Sequence, residues 1–182
     1  GQLEKARGYK SYGYDYVNRI GYDKFEQRTY LKYCNGAETF YTYEPARRRL
    51  QNLTVNAGGK SIMDNGYTYD AEDRLTRVTG PSGEVVAAYV YDRMGNCIER
   101  KDALGGCHYY AYELRGKRIR ELHPLGEGGQ PQEARGPQPY QRTDYRYDKN
   151  GNRIQEIRYG GSYTKEGAAL TGRKGPDPDL CL

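Results

Sequence analysis

Tyr145-Arg146-Tyr147-Asp148-Lys149-Asn150-Gly151-Asn152-Arg153-Ile154 is the stretch on which the fold turns. Side chains alternate along a strand, so Tyr145 and Tyr147 share one face. Asp148 can open a turn by accepting a hydrogen bond from the backbone two residues on. Gly151, three residues after the acid, supplies the left-handed residue that closes a type I turn with a bulge. Asn152-Arg153-Ile154 then runs back as the partner strand. One such unit is a β-hairpin.

The same frame fits Tyr14-Asp15, Tyr22-Asp23, Tyr43-Glu44, Tyr69-Asp70, Tyr91-Asp92 and Tyr112-Glu113. In all but the second, another tyrosine stands two residues upstream: Tyr12, Tyr41, Tyr67, Tyr89 and Tyr110. Three residues past the acid come Asn18, Glu26, Arg47, Asp73, Gly95, Gly116 and Gly151. Gly, Asn and Asp tolerate positive φ best. Arg47 is offset by Pro45, which pre-sets a type I turn, whereas nothing nearby excuses Glu26. The acids follow one another at 8, 21, 26, 22, 21 and 35 residues, a repeat near 21 with insertions. Further turns at Asn35-Gly36, Ala57-Gly58-Gly59, Pro81-Ser82-Gly83 and Asp102-Ala103-Leu104-Gly105 would join each unit to the next. The expected fold is all-β: an antiparallel hairpin meander of about a dozen strands, an open piece of sheet that curls like a shell. The return strands alternate poorly. Leu75 and Val78, or Ile154 and Ile157, are placed on opposite faces, which leaves the inner face undecided.

Leu, Ile, Val and Phe make up only 26 of 182 residues, but 21 tyrosines and a net charge of +5 argue for a folded, tyrosine-rich chain rather than disorder. Residues 1–8 read as the remnant of a preceding repeat and 9–159 as the repeat array. Residues 124–139, with four prolines and four glycines, read as a loop insertion, and 160–182 as an off-pattern, disordered tail. The chain opens at Gly1 with neither methionine nor a signal peptide, so it is expected to be cut from something longer. It has no apolar run long enough for a membrane helix. Arg47-Arg48-Arg49 is the one dense basic run; it is assigned to a solvated edge, with an anionic-glycan or nucleic-acid contact as the alternative reading of the run, and no nucleic-acid partner is expected of the chain.

Little in the sequence suggests catalysis. The two histidines, His108 and His123, read as separate surface or sheet residues. Cys107 cannot pair with His108 as nucleophile and base, because neighbours on a strand point to opposite faces. Cys34, Cys97, Cys107 and Cys181 lack the Cys-x-x-Cys spacing of a zinc site and are expected as free thiols. Cys97 and Cys107 are placed at the two ends of one strand, about 30 Å apart at ~3.3 Å per residue. Gly58-Gly59-Lys60-Ser61 lacks the upstream glycine of a phosphate-binding loop. No cofactor, metal or catalytic residue is expected.

The Tyr-x-Tyr-Asp-x-x-Gly-Asn-Arg unit resembles the YD repeat of the RHS (rearrangement hot spot) family, over roughly residues 9–159. Residues 22–53, through Tyr22-Asp23-Lys24-Phe25-Glu26-Gln27-Arg28 and Asn35-Gly36-Ala37-Glu38, resemble a bacterial variant of it. The resemblance implies a β strip that spirals into a hollow shell. Its partners would be flanking repeats of the parent chain and an enclosed C-terminal toxin or effector, in a secreted or cell-surface protein. Asp177-Pro178 lacks the following glycine and the second element of the family's self-cleaving core, so no cleavage residue carries over. The alternative is a carbohydrate-binding or adhesion module that uses exposed tyrosine rows.

Overall fold

The computed structural model describes residues 2–8, 15–125 and 140–163. Tyr12 and Tyr14, residues 126–139 of the expected 124–139 loop and residues 164–182 of the expected 160–182 tail lie outside the described residues, whereas Pro124 ends a strand and residues 160–163 continue one, against those two expectations. The described elements are thirteen strands: β1 (Ala6–Arg7), β2 (Asp15–Tyr22), β3 (Arg28–Tyr33), β4 (Glu38–Tyr43), β5 (Leu50–Ala57), β6 (Lys60–Tyr69), β7 (Leu75–Thr79), β8 (Val85–Tyr91), β9 (Cys97–Lys101), β10 (Cys107–Tyr112), β11 (Arg118–Pro124), β12 (Tyr140–Tyr147) and β13 (Arg153–Tyr163). The chain divides into two compact units, Gly1–Val86 and Ala87–Leu182. In the first, β1 to β7 pair in chain order, each antiparallel to the next. In the second, β8 to β13 do the same.

A register shift stands just before the second tyrosine of each repeat, at Gly21/Tyr22, Thr42/Tyr43, Thr68/Tyr69, Val90/Tyr91, Ala111/Tyr112 and Arg146/Tyr147. Tyr69 pairs with Leu75, for example, while Thr68 pairs with Arg77, so Thr76 is an extra residue. Each return strand thus carries a β-bulge at its second residue: Thr29, Gln51, Thr76, Ile98, Ile119 or Ile154. The bulge corrects the reading of the return strands. Tyr67 faces Val78 and Tyr69 faces Leu75, so Leu75 and Val78 share the tyrosine face. Ile154, the bulge residue, is exposed, whereas Ile157 is buried on the other face, opposite Asp144.

Two further expectations are corrected. Asp15 opens no turn: β2 runs unbroken from Asp15 to Tyr22, and Asn18 is not among the positive-φ residues. The next turn begins only eight residues later, at Asp23, too close for two strands and a second turn. Asp15 instead pairs with Arg7 on β1 and forms ion pairs with Lys5 (2.7 Å) and Arg7 (3.5 Å). Cys97 and Cys107 do not share a strand, because the Asp102–Gly106 turn separates β9 from β10. Cys34, Cys97 and Cys107 are all free thiols.

Burial is thin. Among the described residues Ile20, Leu31, Val78, Ala87, Leu122, Tyr140 and Ile157 are the buried apolar ones, and no large side chain is completely enclosed. Ile20, Leu31 and Thr39 pair across β2–β4 on the face that also carries Tyr22 and Tyr41. In the second unit Leu122 and Tyr140 cluster with Tyr109 on the face away from Tyr110 and Tyr145.

Candidate functional site

The repeated acids hold their turns with one carboxylate oxygen. Oδ1 of Asp23 accepts the N–H of Phe25 (2.8 Å) and Gln27 (2.9 Å). Asp70 does so for Glu72 and Arg74, Asp92 for Met94 and Asn96, and Asp148 for Asn152. Asp102, in a joining turn, does the same for Leu104 and Gly106. The side-chain amide of Asn96 and backbone N–H groups favour the Asp92 carboxylate and lower its pKa. Asp148 is lowered in the same way by Asn152.

Three residues on, Gly95 (φ 86°), Gly116 (φ 76°) and Gly151 (φ 86°) are left-handed. So are Glu26 (φ 66°) and Asp73 (φ 65°), because the turn hydrogen bond from residue 26 to Asp23 and from 73 to Asp70 imposes the shape whatever the side chain. At Glu44 the left-handed residue is Arg48 (φ 57°), not Arg47, since Pro45 lengthens the turn and Arg48 N–H bonds to the Glu44 carbonyl. Asn35-Gly36 also differs from a two-residue hairpin. Gly36 alone is left-handed, and its N–H donates to the Tyr33 carbonyl, as in the acidic turns. Gly58-Gly59 is the two-residue turn.

Neighbouring turns are stitched side to side. Arg49 forks onto Glu44 (2.6 and 2.8 Å) and reaches Asp73 (2.7 Å), while Arg47 also bonds Asp73 (2.7 Å). Arg48 lies 3.5 Å over the Phe25 ring, and its carbonyl accepts Gln27 Nε2. The basic run is therefore a clamp across the turns at 23, 44 and 70 rather than a simply solvated edge. In the second unit the Lys117 ammonium donates to the Gly151 carbonyl.

All repeat tyrosines among the described residues are half-buried: Tyr22, Tyr41, Tyr43, Tyr67, Tyr69, Tyr89, Tyr91, Tyr110, Tyr112, Tyr145 and Tyr147. The second tyrosine of three units caps a carbonyl at the start of the preceding strand or segment. Tyr22 donates to Leu3, Tyr43 to Arg28 and Tyr147 to Arg118, each at 2.8 Å. Cations cover several rings: Arg49 on Tyr69, Arg118 on Tyr110, Arg153 on Tyr145 and Lys117 on Tyr147. Burial, then the hydrogen bond to Glu121, pushes Tyr145 up to about 12. Tyr112, Gly116, Arg118, Tyr145, Tyr147 and Arg153 line an open groove of about 340 Å³.

The two histidines, separate on sequence grounds, meet on this same face. His108 Nδ1 lies 2.9 Å from His123 Nδ1. His108 Nε2 is 3.1 Å from Asp102 Oδ2, and His123 Nε2 is 3.2 Å from Glu121 Oε1. Burial alone would raise Glu121, but hydrogen bonds from Tyr145, His123 and Arg118 outweigh it and hold the carboxyl below its ordinary value. No group of three or more His, Cys, Asp or Glu among the described residues is placed to hold a metal. Among the same residues no helix is long and apolar enough to cross a membrane.

No curated protein matches this chain. Among solved structures, it is similar over 87% of its length to TcdB2–TccC3 without the hypervariable C-terminal region, at 17% identity and a TM-score of 0.64. That match takes in 9% of the larger chain, so this chain spans about a tenth of it. A second TcdB2–TccC3 structure matches at 18% identity over 90% of this chain and 8% of that one, with a TM-score of 0.44. The Photorhabdus luminescens Tc holotoxin pore matches at 14% identity over 87% of this chain and 12% of that one, again at 0.44. The first likeness shows a shared fold, the antiparallel β-meander. Residues 67–106 match the RHS Repeat family model. Those residues hold the hairpins that open at Asp70 and Asp92, and the same turn, bulge and tyrosine positions recur from Tyr22 to Arg153.

Proposed function

We propose that this chain is a section of wall in a β-shell that encloses a C-terminal toxin or effector, within a larger secreted or cell-surface protein. The observation that carries this reading is the lateral stitching of neighbouring turns, among those at 23, 44 and 70 and again between those at 113 and 148, exemplified by Arg49 joining Glu44 to Asp73. Such contacts stabilise a repeat through its neighbours rather than through a closed core, as repeat arrays do. A wall section is then most stable with flanking repeats on both sides, which also cover the strand edges that would otherwise invite association. Light scattering and thermal unfolding of this chain and of a version extended by repeats at each end test the reading. The extended form should melt higher and self-associate less. Equal stability and a monomeric short chain would refute the wall.

The groove beside Tyr112, Tyr145 and Tyr147 favours a second reading, a carbohydrate-binding face, since aromatic rings flanked by Arg118 and Arg153 suit sugars with acidic groups. Saturable glycan binding that is lost in Tyr112→Ala would favour the carbohydrate-binding face over the wall.

A further inference from the structure

The paired histidines carry one inference beyond the wall. His108 stands one step past the Tyr109–Leu122 pair of β10 and β11, directly opposite His123, so the backbone aims both rings to one face. Asp102 sits on Nε2 of the first ring and Glu121 on Nε2 of the second. A carboxylate oxygen beside each Nε2 accepts from that ring and so favours the tautomer with its proton on Nε2. With that tautomer on both rings the two Nδ1 lone pairs face one another across 2.9 Å, an arrangement that attracts a cation. A proton is one such cation. A divalent metal is the other, and carboxylates on the outer ring nitrogens are the arrangement that orients histidine ligands.

We propose that His108 and His123 form a two-ligand site for a borderline divalent transition ion of the Zn²⁺, Ni²⁺ or Cu²⁺ class, bound through both Nδ1 atoms. Imidazole suits these ions. Two nitrogens at bond lengths of about 2.0–2.1 Å on a tetrahedral ion lie about 3.4 Å apart, so the rings must separate by about half an ångström and tilt until both lone pairs converge on the ion. Water completes the coordination, since the His108 side chain is 17% exposed and that of His123 39%. Arg100 opposite His108 and Arg118 beside Glu121 oppose a cation, while Asp102 and Glu121 attract one, so charge is balanced around the site.

Calorimetric titration of the whole chain with Ni²⁺ tests the site, the His108→Gln/His123→Gln chain reporting any binding by the thiols. One ion per chain should bind, at least ten times more weakly in either single variant. Asp102→Asn, which keeps the turn, should weaken it by roughly 10–100-fold, as loss of an outer-shell partner does. Nitrogen NMR of the unaltered chain needs no variant: Zn²⁺ should move both Nδ1 resonances and leave Nε2 little changed. Affinity unchanged in the histidine variants, or Nδ1 signals indifferent to Zn²⁺, would leave a shared proton as the occupant and overturn the proposal.

Discussion

Replacing Asp144 by asparagine removes the anion from the best-built ion cluster in the second unit. Asp144 lies between Arg120, which forks onto it at 2.8 and 2.9 Å, and Arg142, whose Nε donates at 2.9 Å. The three side chains are 16%, 19% and 8% exposed, so solvent screens them little. Burial alone would raise the carboxyl, but the hydrogen bonds and charge of the two arginines overcome it and lower the pKa from 3.8 to about 2. At about 1.4 kcal/mol per tenfold change in ionisation, that drop corresponds to roughly 2–3 kcal/mol of stability. Asparagine also leaves two guanidinium groups facing each other with Arg142 buried, so the expected loss at neutral pH is about 3 kcal/mol.

The pH dependence has a defined sign. The folded carboxyl ionises more readily than the unfolded one, so its contribution is fully present above the unfolded value of 3.8 and is lost as pH falls through about 2. Urea unfolding followed by circular dichroism, from neutral pH down to about 2, measures both effects. The gap between the wild-type chain and Asp144→Asn should narrow over that acid range, and adding Arg142→Gln should cost less in the variant than alone. A gap below about 0.5 kcal/mol at neutral pH, the ordinary level for exposed pairs, would refute the argument.

The left-handed turn residues make a reciprocal pair. Gly95 has φ 86° with open space where a Cβ would go, so Gly95→Ala should destabilise by about 1 kcal/mol through backbone strain alone, whereas Glu26→Gly, relieving φ 66°, should stabilise by about as much. Urea midpoints shifting the other way in either variant would contradict the turn geometry. Tyr147→Phe leaves the Arg118 carbonyl without its 2.8 Å hydroxyl donor and should cost about 1 kcal/mol in the same measurement.

The turns were legible because their chemistry is local. An aspartate that accepts two N–H groups and a glycine three residues on are a signature in the chain itself, and Tyr145 to Ile154 displays it whole. What acts across turns was not legible. Arg49 finds Asp73 twenty-four residues away only because two turns lie side by side, and nothing near Arg47-Arg48-Arg49 distinguishes a clamp from a solvated run. Asp15 shows the opposite failure, a matching dipeptide without room for the hairpin.

The bulges explain most of what remained. Thr76 and Ile119 carry no signature of their own, but a bulge brings residues three apart onto one face, and Leu50 with Leu53, or Leu75 with Val78, shows that spacing. The ion pairs Arg118–Glu121 and Arg153–Glu156 follow from it, spanning three residues on strands where alternation forbids contact. The same bulge decides the histidines. Tyr112 pairs with Arg118, and counted straight back along both strands that register would set His108 against Leu122. Ile119 slips the register by one, Leu122 moves opposite Tyr109 and into the buried cluster, and His123 takes the place facing His108. One inserted residue thus supplies both the apolar contact on one face and the histidine pair on the other.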